Sequence, residues 1–63
     1  MDTSEIHRIA QYLVEQCGSR AAPHAEENLD WADASDDTDG ARDWRLILGM
    51  IVVLQAINGT TRH

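Results

Sequence analysis

"WRLILGMIVVLQAI", residues 44–57, carries no charged side chain after Arg45 and only one strongly polar one, Gln55. With 3.6 residues per helical turn, Trp44, Ile47, Leu48, Ile51 and Leu54 fall on one stripe. Leu46, Met50, Val53 and Ile57 fall on a second, on roughly the opposite side, with Gly49 and Ala56 between them. A helix that is apolar on both sides asks to be buried on both sides. The apolar stretch 46–57 is twelve residues long, is broken by Gln55 and is too short to span a bilayer, which takes about twenty such residues. The spacing therefore predicts a central helix in an all-α fold. Either it is sandwiched between two companion helices, or a homodimer or a host protein covers its second stripe. The second alternative is favoured, because exposed apolar patches of that size mark interaction sites.

Working outward, this helix is expected over about residues 40–57. It follows "DDTDG" and ends near the turn pair Asn58-Gly59. Asp37, Thr38 or Asp39 can cap it, and carboxylates there favour the positive end of the helix dipole. A first helix is expected over about 4–17, where Ile6, Ile9, Ala10, Leu13, Val14 and Cys17 recur on one face. Asp2 or Thr3 caps its start, and Gly18 lets the chain leave it. After a short linker, "SRAAP", a second helix is expected over about 22–34, with Pro23 in its first turn. Its apolar stripe is thin: Ala22, Ala25, Leu29 and Ala32. Trp31 points roughly 160° from Leu29, so it either covers an edge of the core or stands exposed as an anchor for a partner. The expectation is one helical domain over 1–63, a small three-helix bundle.

A chain of 63 residues has little core, and natural domains of this size add disulfides, a metal or a partner subunit. Cys17 is the only cysteine, so no disulfide forms within the chain. It reads as the last apolar residue of the first stripe, and a lone thiol fits a reducing compartment. The start, "MDTSEIHR", has neither a basic nor an apolar leader segment, so a cytosolic protein is expected. The formal charge of −6 is uneven: residues 26–43 hold eight carboxylates against Arg42 alone. Such a field repels nucleic acid and anionic membranes and attracts basic surfaces.

The acidic run tests poorly for chemistry. "SDDTDGARDWRL" (35–46) contains the Asp-x-Asp-Gly core of an EF-hand loop, with Asp37, Asp39 and Gly40 in place. It has Ser35 and Leu46 where the two end ligands belong. His7, His24, His63 and Cys17 show no zinc-ligand spacing. No metal, cofactor or catalytic residue is expected. Two readings of the run remain. One is a solvated surface that keeps a small protein soluble. The other is nucleic-acid mimicry, in which Glu26, Asp30, Asp33 and Asp37, at i, i+4, i+7 and i+11, line one helix flank if the second helix extends that far. Residues seven apart on a helix are roughly 10 Å apart, a spacing comparable to that of backbone phosphates. Glu27, Asp36 and Asp39 extend the charge, and Trp31 among the carboxylates supplies an anchor.

Gly18, Ala21, His24, Ala25, Asp39, Gly40, Trp44, Ile47, Leu54 and Gln55 together resemble the pattern of a group of small bacterial helical proteins. In those, a helix ending in glycine leads to an Ala-x-x-His-Ala helix start, an acidic-Gly turn and a Trp-containing helix ending near Leu-Gln. The resemblance implies a compact helical fold and brings no activity with it. The chain departs from the pattern at Cys17, where histidine is common, and in its longer aspartate run. In its small, acidic, single-domain profile the chain also resembles anti-CRISPR proteins, several of which occupy the DNA-recognition surface of a CRISPR surveillance complex. That resemblance implies a non-enzymatic inhibitor with a basic protein partner, and no direct contact with nucleic acid or membrane. The competing expectation is an adaptor that dimerises or docks through Leu46, Met50, Val53 and Ile57.

Overall fold

The structure, a computed structural model, describes residues 2–61, with side chains described through Ile57. All the described secondary structure is helical. The chain does not, however, form three helices separated by loops. It makes two continuous helical runs, and the first is bent into two arms, α1 (Thr3–Cys17) and α2 (Ala21–Ala34), by a 3-10 turn at Gly18–Arg20. The second run is α3 (Thr38–Thr61). The expected linker at 19–23 is thus helical. Pro23 sits in the first turn of α2, where its missing amide proton costs little. Likewise, α3 starts two residues earlier than expected and passes through Asn58-Gly59.

Local chemistry explains the ends. The Asp2 carboxylate accepts the Glu5 amide at 2.9 Å and so caps α1. Gly18, at φ +56° and ψ −124°, closes α1 while its amide still reaches the Val14 carbonyl. A Cβ on Gly18 would meet nothing within 4 Å, so the backbone conformation demands glycine here, not lack of room. At the other junction only Ser35, Asp36 and Asp37 separate α2 from α3. Asp36 adopts a left-handed φ of +58°. Its amide donates to the Asp33 carbonyl at 3.2 Å, and the Asp37 amide donates to that of Ala32 at 2.9 Å. Together these form a Schellman closure of α2. Asp37 also begins α3, since its carboxylate accepts the Gly40 amide at 3.0 Å and its carbonyl accepts the Ala41 amide at 2.8 Å.

The tight junction folds α3 back along α2. Ala32 lies by Ala41 at one end, and the Gln55 side-chain amide donates to the Gly18 carbonyl at 2.8 Å at the other. This is one constant antiparallel register. The core gathers where α1 joins this pair. Ile6, Ala10 and Leu13 of α1, Ala21 and Ala25 of α2, and Ile47 and Ile51 of α3 are buried together, with Trp44, Leu48 and Leu54 partly buried against them. Alanines on α2 let its backbone approach α3 closely, at the expense of buried area. The 24 residues of α3 make a rod of about 36 Å, which sets most of the 42 Å long axis of the molecule. Among the described residues no helix is long and apolar enough to cross a membrane.

Candidate functional site

The acidic residues are sorted by the fold into three places. Ala21, Ala25 and Ala32 are buried on the inner side of α2. Helical geometry then puts Asp30 and Glu27 on its outward crest and Glu26 and Asp33 on one flank; all four are exposed. Asp33, Asp36 and Asp37 line one shallow depression at the α2–α3 junction, with Arg45 as the cation beside them. Asp39, exposed, lies in the first turn of α3, at the positive end of its dipole. The second helix does not extend as far as the row of four requires: α2 ends at Ala34, so Glu26, Asp30 and Asp33 form the row while Asp37 belongs to the turn.

Trp31 is 74% exposed, which resolves its two expected roles in favour of the surface. It is not set among the carboxylates of the row. Around α2 it lies about 100° from Asp30 and 160° from Asp33. It shares its flank with His24 and Glu27, and that flank borders a groove lined by Gln16, Cys17, Arg20, Pro23, His24 and Glu27. Only a partner that embraces α2 from both sides meets the row and the tryptophan together.

The same groove brings Cys17 and His24 to one lining, a proximity that sequence distance conceals. The imidazole is held by other groups. Asn28 donates from its side-chain amide to the His24 carbonyl at 2.9 Å and lies 3.3 Å from the ring Nε2. Trp44 meets the ring edge-on, with centroids 6.4 Å apart. Cys17 is partly buried against the core as the last residue of the α1 stripe. Among the described residues no three His, Cys, Asp or Glu side chains are grouped so as to hold a metal ion. Residues 38–46 of the EF-hand-like stretch are helical instead of looped. His63 lies outside the described residues.

The second stripe of α3 is also rearranged. Leu46, Val53 and Ile57 are about half exposed, at 51%, 53% and 55%. Met50, counted with them in the sequence, turns toward the core and is partly buried. Its place in the outward face is taken by Val52, 54% exposed, which the sequence reading did not single out. Helix periodicity alone puts Val52 about 120° from Leu46, so only knowing where α1 and α2 lie identifies it as outward. Tyr12 of α1, 59% exposed, is a further surface aromatic missed in the same way. No known family model, curated protein or solved structure matches the chain.

Proposed function

We propose that the protein is a non-enzymatic cytosolic inhibitor whose α2 helix enters a basic, DNA-recognising cleft of another protein in place of nucleic acid. A CRISPR surveillance complex is the most concrete partner, in line with the anti-CRISPR resemblance. The supporting observation is the continuous acidic surface running from Glu26 along Asp30 and Asp33 to Asp36 and Asp37, on a helix braced by α1 and α3. A helix about 10–12 Å across offers its crest and both flanks to an enclosing cleft. Such a cleft would meet Glu26, Glu27, Asp30 and Asp33 and close over Trp31. Lys and Arg side chains that normally neutralise phosphates gain the same charge-assisted contacts from these carboxylates.

The test is competition between the protein and target DNA for such a complex across a salt series. Affinity is expected to fall steeply with salt. The triple variant Glu26→Gln, Asp30→Asn, Asp33→Asn should weaken binding by on the order of tenfold or more at 0.1 M salt and flatten the salt slope. Inhibition that is unchanged in this variant sinks mimicry. Cys17→Ser retaining full inhibition is the matching expectation for a mechanism without a thiol. A second reading, an adaptor docking through α3, is favoured by the exposure of Leu46, Val52, Val53 and Ile57.

A further inference from the structure

We propose that the outward face of α3 is the seam of a two-fold homodimer, in which the α3 helices of two copies pack antiparallel about Val52 and Val53. Among the described residues the core buries four large aliphatic side chains, Ile6, Leu13, Ile47 and Ile51. Leu46, Val52, Val53 and Ile57 are as many again, and each is more than half exposed on one face of α3. They span roughly 140° of the helix, centred nearly opposite Ile51. Half-exposed side chains of this size leave on the order of 400 Å² of apolar surface, enough to mark an interaction site. Two such strips together amount to about 800 Å², below the roughly 1,200–2,000 Å² of stable interfaces and in the range of weak ones.

The chemistry of the strip selects a second copy over a basic helix. From Leu46 to Ile57 it holds no carboxylate to attract a cation; charge begins only at its leading end, where Arg42 and Arg45 stand beside Asp39 and Asp43. The strip is instead complementary to itself. Gly49 is exposed, and a Cβ there would meet nothing within 4 Å, so it forms a shallow slot in the face. A two-fold axis between residues 52 and 53 sets Gly49 of one copy against Ala56 and Ile57 of the other, so the largest side chain at one end meets the slot at the other. Val52 and Val53 meet their own counterparts on the axis. Parallel pairing would oppose Gly49 to Gly49 and Ile57 to Ile57. The seam stands independently of the role given to α2, whose acidic crest points away from α3.

Sedimentation of the full chain is expected to give twice the 7.0 kDa mass at about 100 µM, with a dissociation constant at or below that range. Val53→Glu should raise that constant at least about a hundredfold while circular dichroism stays helical and binding through α2 is unaffected. In a Cys17→Ser background, Val53→Cys should cross-link its own copy under mild oxidation, whereas Leu46→Cys should not. A monomer at about 100 µM, a dimer that survives Val53→Glu, or cross-linking at 46 in preference to 53 would each overturn the proposal. The cysteine pair decides the matter if Val53→Glu does not fold.

Discussion

Asp37 serves two helices at once. Its amide closes the Schellman turn of α2 on the Ala32 carbonyl, and its carboxylate caps α3 on the Gly40 amide. Gly40 is small because that carboxylate lies where a Cβ would be. The two residues should therefore couple. Asp37→Ala removes the cap and is expected to cost about 1 kcal/mol. Gly40→Ala in the natural chain should be nearly neutral, because the helix propensity gained, up to about 1 kcal/mol, is offset by the displaced cap. In the Asp37→Ala background the same Gly40→Ala should stabilise by close to that full amount, a coupling that urea melts of the four proteins will measure. Capping by Asp37, Thr38 or Asp39 was legible in "DDTDG". The choice among them was not, because it depends on which residue takes the left-handed conformation. Glycine is the usual occupant, yet here Asp36 holds it and Gly40 is already helical. The turn also gives Asp36 and Asp37 architectural work besides any share in partner binding.

Among the elements, α1 was legible because its apolar residues occupy a single face, and the observed buried set of Ile6, Ala10 and Leu13 lies within it. The third helix was legible as a helix, and of the stripe expected to face outward Leu46, Val53 and Ile57 are exposed. Both of its sides are apolar, so what the pattern in 44–57 could not choose was the boundary between them, where Met50 turns inward and Val52 outward. That choice is made elsewhere, by the bend at Gly18 and the three-residue turn at 35–37, which bring both arms to the Ile47–Ile51 side. The bend itself was read as a loop, since glycine, serine and proline close together match a linker. A 3-10 turn satisfies the same residues while keeping the chain helical, and Gln55, which looked like a flaw in an apolar run, secures it by donating to the Gly18 carbonyl. Packing of α3 against the arms rests on few large side chains. Ile51 is wholly buried, and Ile51→Ala is expected to cost about 2–5 kcal/mol. A chain of 63 residues has about 3–9 kcal/mol of stability in total, so this one truncation should remove most or all of the cooperative thermal transition. Val52→Ala, one position along on the outward face, should leave the fold of each copy intact.

At the scale of the whole molecule, charge and apolar surface are segregated. The carboxylates of α2 and the turn face one way, and the uncharged strip of α3 faces another, so one small chain can offer two surfaces governed by opposite physics. Each copy carries a formal charge of −6. Bringing two copies together through α3 is therefore opposed by long-range repulsion while apolar contact drives it. Added salt shortens the screening length from about 10 Å at 0.1 M to about 3 Å at 1 M, which weakens the repulsion and leaves the contact untouched. Engagement of a basic surface by α2 responds in the reverse sense, because screening removes the attraction itself. Sedimentation from 0.05 to 0.5 M sodium chloride is thus expected to show the dimer fraction rising, while binding to an arginine-rich probe peptide, followed by Trp31 fluorescence, falls. Dimer loss with salt would mean that the association runs through charge and not through Leu46, Val52, Val53 and Ile57. Salt-insensitive probe binding would mean that the α2 carboxylates act only as a solvated coat.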